Sequence, residues 1–130
     1  KKAEIRDLGT WLTLWLNKLG ERFHMATYDD FKKLEFKVAR IKDVQDHPNA
    51  DRLYVITVDL GDKTKQVVAG IKSSNKKEDL LGKQVVIVDN LDSAVLRGVE
   101  SQGMILASSD ENGISIITTA REMKLGSIVK

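Results

Sequence analysis

One hundred and thirty residues with 42% hydrophobic and 31% charged content describe one compact soluble domain, without length for a second core. The absence of cysteine excludes disulfides, thiolate metal sites and thiol nucleophiles, and His24 and His47, the only histidines, are too far apart in sequence to suggest a histidine metal site or a serine–histidine triad. No apolar run approaches the roughly eighteen residues of a membrane span, so a cytoplasmic protein needing no metal or cofactor is expected.

The chain opens on a segment unlike the rest. Ile5, Leu8, Leu12, Trp15 and Leu19 step by three and four, which predicts an amphipathic helix over residues 1–24. Thr10 can cap a restart after Gly9, and Gly20 is a natural stop. Five basic and three acidic residues in this segment supply the whole formal charge of +2, leaving residues 25–130 balanced at 16 against 16. His24-Met25 matches what a cloning site at a start codon encodes, so 1–24 is either a vector-derived addition or a natural docking or dimerisation helix. Residues 25–130 are then the domain proper.

From Phe31 onward the pattern is that of strands. Phe36–Ile41 alternates apolar and basic residues, and the β-branched runs Leu53–Val58 and Gln66–Ile71 flank a Gly61-Asp62-Lys63 turn. Asn75 to Leu81 predicts a short helix with a capping box between Asn75 and Glu78 and a stop at Gly82. Val85–Val88 follows as a strand, Met104–Ala107 and Ile114–Ile117 predict a hairpin around a type I′ Asn112-Gly113 turn, and Gly126–Val129 closes the chain. That order is that of the OB-fold: an all-β, five-stranded barrel with one short helix between strands three and four, here with an N-terminal amphipathic helix in addition. Such a barrel fills its interior with side chains and leaves an outer groove.

Three stretches in fixed order add a family to the fold: HPNADRLYVITVDLG at 47–61, QVVAGI at 66–71 and NLDSAVLRGVESQGMILA at 90–107. Over about residues 31–130 the chain resembles the tRNA-binding domain family, most closely the type found as a C-terminal appendage or separate β-subunit of prokaryotic methionyl-tRNA synthetases. The resemblance implies a non-catalytic module that binds the outer corner of tRNA by shape and adds affinity to a synthetase catalytic subunit. It also implies a homodimer, because the chain ends about twenty residues after the GMILA strand, like members lacking a further domain. A different reading makes the barrel a protein-interaction scaffold presenting the N-terminal helix, and the neutral charge of residues 25–130 favours that alternative.

The resemblance places Asn90, Arg97, Ser101 and Met104 in an RNA-facing groove. Arg97 can grip a phosphate with two parallel hydrogen bonds, Asn90 and Ser101 can meet 2′-hydroxyls, and Met104 offers an adaptable apolar contact. Glu100 would repel RNA and reads as a partner orienting Arg97 or a backbone amide. Gly98 and Gly103 suit places where the backbone turns or passes close to a neighbour. His47-Pro48-Asn49-Ala50-Asp51-Arg52 reads as a structured loop rather than a metal site, with Arg52 at its exit within reach of a phosphate. Lys72, Lys76, Lys77 and Lys83 cluster around the short helix, either as its solvated face or as phosphate contacts beside the groove. Outside the two tryptophans the only aromatics are Phe23, Tyr28, Phe31, Phe36 and Tyr54, too few to thread splayed bases. Recognition of folded RNA through its backbone fits that shortage better.

Overall fold

A computed structural model describes residues 25–130, and the amphipathic helix expected over 1–24 lies outside the described residues. The chain divides into a leading unit ending at Lys33 and a second unit, Leu34–Lys130. The described part of the leading unit forms a five-residue helix, α1 (Tyr28–Lys32), started by a reciprocal box. Thr27 Oγ1 accepts from the Asp30 amide at 3.1 Å, and Asp30 Oδ2 accepts from the Thr27 amide at 3.0 Å.

In the second unit, β1 (Phe36–Asp46), β2 (Tyr54–Asp59) and β3 (Thr64–Ala69) are followed by the short helix α2 (Lys77–Leu80), then β4 (Gln84–Val88) and β5 (Ala94–Leu96). The remaining strands are β6 (Val99–Ser101), β7 (Met104–Ile105), β8 (Ala107–Asp110), β9 (Gly113–Ile116) and β10 (Ile128–Val129). The main sheet runs β3-β2-β1-β4-β7 with β10 added to β1, and β5-β6 and β8-β9 are separate hairpins. Strand β1 is nearly twice as long as its alternating segment predicts. Its first half, Phe36–Arg40, pairs with β4, and its second, Arg40–Asp46, pairs with β2, with a register shift between Ile41 and Asp43. An extra residue in one strand bends it and increases its twist, which lets β1 serve both halves of a curved sheet.

The interior follows from alternation. Tyr54, Ile56 and Val58 of β2 point inward and meet Ile41, Val67, Val85, Ile87 and Ile105, while Leu80 of α2 plugs one end. Strand β4 is buried at all five positions, since Gln84 on its other face is covered by the segment after β9.

Two local expectations need correction. The capping box at Asn75 does not form: the helix starts later, with Lys76 at the cap and no side-chain bond there. Asn75 Nδ2 instead donates to the carbonyls of Ile71 and Ile114, at 2.9 and 3.0 Å, tying α2 to the last hairpin. That hairpin pairs Ala107–Asp110 with Gly113–Ile116, so its turn is Glu111-Asn112 rather than Asn112-Gly113. Neither turn residue has the positive φ that type I′ requires, and Asp110 Oδ1 closes the turn by accepting from the Asn112 amide at 2.8 Å.

The open edge of β3 is closed largely by side chains. The Gln66 amide donates to Gln102 Oε1 (2.8 Å), the Gln102 amide donates back to the Gln66 carbonyl (2.7 Å), and the Val68 amide donates to Ser101 Oγ (2.9 Å). Gln66 Nε2 adds a bond to the Glu100 carbonyl at 2.8 Å. A Cβ at Gly103 would lie 2.9 Å from the Val88 carbonyl oxygen, so glycine is required where this seam passes β4. The architecture is an OB-like barrel whose β3 edge is satisfied within one chain.

Candidate nucleic-acid interface

The stretch in which Gly98 and Gly103 are expected to mark a turn or a close approach contains a hairpin. Leu96 pairs with Val99, leaving Arg97-Gly98 as a two-residue turn with φ of 54° and 91°. Two successive positive φ values define the I′ class, whose right-handed twist matches the strands. Glycine adopts this conformation freely, whereas an ordinary side chain there costs on the order of 1–2 kcal/mol. Arg97 is the one non-glycine with positive φ among the described residues. The position would favour asparagine on local grounds, so the choice of arginine there points to a use for its side chain.

The hairpin is clasped to the loop between β1 and β2. His47 is buried; its Nδ1 accepts from the Asn49 amide at 2.9 Å, which leaves the hydrogen on Nε2 to donate to the Leu96 carbonyl at 2.9 Å. Asn49 Nδ2 donates to the Arg97 carbonyl at 3.2 Å, and the Arg97 guanidinium returns a long contact to the Asn49 carbonyl at 3.4 Å. Arg52 ends the same loop, exposed and without an ion pair among the described residues. The clasp thus brings Arg52 and Arg97, 45 positions apart in sequence, onto two loops fastened together. The HPNADR stretch is a structured turn, as its composition predicts, and it also holds the hairpin. No local signal shows this, because the bonds span 49 positions.

The other expected residues fall into separate neighbourhoods. Ser101 is 4% exposed, its hydroxyl accepting from Val68 and donating to the Gly103 carbonyl at 2.9 Å. That hydroxyl belongs to the seam and does not face solvent, whereas the resemblance implies a contact to RNA there. Glu100 does not orient Arg97 either: its carbonyl is used by Gln66, and its carboxylate has no partner among the described residues. Met104 is half exposed beside Val88 of β4, and Asn90 Oδ1 accepts from the Glu35 amide at 2.8 Å. Lys72 is paired. It lies 3.0 Å from Asp46, with Lys77 3.1 Å from the same carboxylate, and these ammonium groups hold the Asp46 carboxyl below its ordinary range. Lys76 and Lys83 are exposed and unpaired among the described residues, but Lys83 lies beyond the helix, beside Arg40.

Next to Asn90, the side chain of Asp89 is 4% exposed and gathers three lysines, Lys65 at 2.6 Å, Lys37 at 2.9 Å and Lys63 at 3.6 Å. Burial pushes its pKa up, but the hydrogen bonds from Lys65 and Lys37 outweigh that and hold it at about 2. The Lys65 ammonium also donates to the Asp89 carbonyl at 2.7 Å. This group pins β1, β3 and the end of β4 together. The sequence hides it, since Lys37 lies far from Lys63 and Lys65, and all three are far from Asp89.

A family model for a tRNA binding domain matches residues 36–128. This chain belongs to the tRNA binding domain family. The domain is 49% identical over 113 residues to the methionine–tRNA ligase of Thermococcus kodakarensis, a match covering 87% of this chain and 15% of that protein. It therefore spans about one-seventh of the length of that relative. Among solved structures it is similar to a MetRS related protein from Pyrococcus horikoshii, with 30% identity and a TM-score of 0.77 over 83% of this chain and all of that one. It is also similar to the CsaA chaperone protein of Picrophilus torridus, with 27% identity and a TM-score of 0.76 over 82% of this chain and all of that one. Among the described residues of the tRNA binding domain no cluster of acidic, histidine or cysteine groups could hold a metal, and no helix is long and apolar enough to cross a membrane.

Proposed function

We propose that this domain binds tRNA through its folded backbone, without catalysing a reaction, and adds tRNA affinity to a methionyl-tRNA synthetase in the cytoplasm. The observation that carries the proposal is Arg97: an arginine held in a left-handed conformation at a hairpin tip and fastened to the loop bearing Arg52. A planar guanidinium offers paired donors to phosphate oxygens, and a preset position lowers the ordering cost of the contact. The shortage of exposed aromatic rings supports backbone recognition over base stacking. Family membership and the ligase relatives supply the nucleic acid in question. Two copies would act together if the exposed Val95, Ile117 and Ile128 are covered by a homodimer contact, which sedimentation of residues 25–130 at micromolar concentration checks.

Filter binding with several unrelated tRNAs, a duplex DNA and an unstructured RNA oligomer tests the main proposal. The tRNAs should bind with similar affinities and more tightly than either competitor. Equal or tighter binding of the unstructured oligomer overturns it. Negligible tRNA affinity, together with a protein partner lost on removing residues 1–24, would favour the scaffold reading.

A further inference from the structure

Three cationic residues from distant parts of the chain line a cleft on the outside of the barrel: Arg40 of β1, Lys83 just before β4, and Arg121 of the segment between β9 and β10. The cleft has a volume of about 240 Å³, and Glu122 is the one carboxylate in its lining. Arg40 is committed, donating through Nη1 to the Gly82 carbonyl at 2.9 Å and through Nη2 to Glu122. Lys83 and Arg121 have no ion pair among the described residues. Three positive groups facing one negative group leave a local excess in a domain whose residues 25–130 are neutral in sum.

The cleft is built rather than accidental. The segment carrying Arg121 has no regular structure, yet Gln84, buried on β4, ties down its first half, between Thr118 and Met123. Gln84 Nε2 donates to the Met123 carbonyl at 2.6 Å, and its Oε1 accepts from the Met123 amide at 2.9 Å and from Thr119 Oγ1 at 3.0 Å. Thr118 Oγ1 donates to the Gln84 carbonyl at 2.7 Å. A loop tied to β4 by one buried amide carries Arg121 on the cleft, and the Arg40–Glu122 pair adds a second tie. Such preorganisation stabilises the loop, but it does not explain two cations without ion pairs lining the same cleft, where like charges repel until an anion arrives.

We propose that Lys83 and Arg121, braced by Arg40 and Gln84, form a second phosphate-binding subsite that takes the phosphodiester backbone of the bound RNA. The inference rests on the tRNA-binding reading and deepens it: a shape-reading module needs two separated anchor points to sense the angle of a folded RNA, and Arg97 supplies only one. The test is filter binding of tRNA at several salt concentrations to the wild type, to K83A/R121A, to R97A and to K124A as an exposed control. The double variant should bind about ten- to a hundredfold more weakly, with a log–log salt slope shallower by about one to two units, because two fewer counterions are released. K124A should match the wild type. A thermal melt with inorganic phosphate against chloride at equal ionic strength gives a second readout, with the wild type stabilised and the double variant not. An unchanged slope in K83A/R121A, with R97A still weakened, overturns the subsite and leaves the tRNA-binding reading standing. Phosphate stabilisation lost in the double variant with tRNA binding intact overturns the RNA assignment of the cleft. Absence of tRNA binding by the wild type overturns both.

Discussion

Replacing Arg97 separates a folding role from a binding role, because the structure predicts that one substitution moves the two in opposite directions. Arg97 sits at φ 54° in the hairpin turn, where an ordinary side chain costs on the order of 1–2 kcal/mol and asparagine costs little. The only bond lost by Arg97→Asn is the 3.4 Å contact to the Asn49 carbonyl, long and exposed, worth a few tenths of a kcal/mol at most. The net expectation is a gain of about 1 kcal/mol, or roughly 4–8 °C in Tm for a unit of about a hundred residues. If the guanidinium grips a phosphate, the same change should weaken tRNA binding by about 1–3 kcal/mol and flatten the salt slope by about one unit. Arg97→Ala keeps the backbone cost, so its Tm should stay close to wild type while binding falls equally. Thermal unfolding and filter binding at two salt concentrations read both quantities. A lower Tm for Arg97→Asn, or unaltered tRNA affinity in both variants, would refute the assignment of a strained position kept for a ligand.

The remaining expectations concern the clasp, the seam and the buried carboxylate. Asn49→Ala removes a donor to the Arg97 carbonyl but no charge, so tRNA affinity should fall by about 0.5–1.5 kcal/mol with an unchanged salt slope; a flatter slope in filter binding would contradict it. Ser101→Ala leaves the buried Val68 amide without an acceptor and should destabilise the fold by about 1–3 kcal/mol in urea, with binding lost only as the protein unfolds. Weakened binding at full stability would instead return Ser101 to the interface. The folded pKa of Asp89 is depressed from 3.8 to about 2, so its pairing stabilises the protein fully above pH about 4 and is lost as pH falls toward 2. The loss amounts to about 2 kcal/mol, and an acid titration of Asp89→Asn beside the wild type should show their stability difference shrinking across that window. A difference that stays constant down to pH about 2 would remove the ion pairs as its source.

The strands β2, β3 and β4 were legible because each pairs β-branched residues with a buried face, and the Gly61 turn is marked by composition alone. Only the first half of β1 could be read, since the bulge after Ile41 breaks the alternation and the second half carries Lys42, Asp43 and Gln45 outward. The β5–β6 hairpin escaped because its turn is Arg-Gly, whereas the usual signal for two positive φ values is Asn-Gly. Conversely Asn112-Gly113 gave that signal where the chain does not use it, because Asp110 offers a side-chain oxygen that suits a different turn. Of the site, Arg97 and Arg52 were visible as cations next to turns. The burial of Ser101, the pairing of Lys72 with Asp46 and the cleft of Arg40, Lys83 and Arg121 depend on partners 26 or more positions away, beyond any local pattern.

Fastening the last edge of the barrel with side chains also sets how the molecule opens. Within the ladders, an amide can exchange with solvent only after two strands part, whereas the Val68 amide is released by rotation of one hydroxyl at Ser101 and the Gln66 amide by movement of the Gln102 side chain. These two positions should exchange deuterium through brief local excursions, while ladder residues such as Val58 and Ile87 wait for global unfolding. The bond from Val68 to Ser101 spans 33 residues, so it too depends on the fold having brought distant stretches together. The barrel is a curved sheet with a latch, and the hairpin bearing Arg97 should loosen when either the latch at β3 or the clasp to the β1–β2 loop opens.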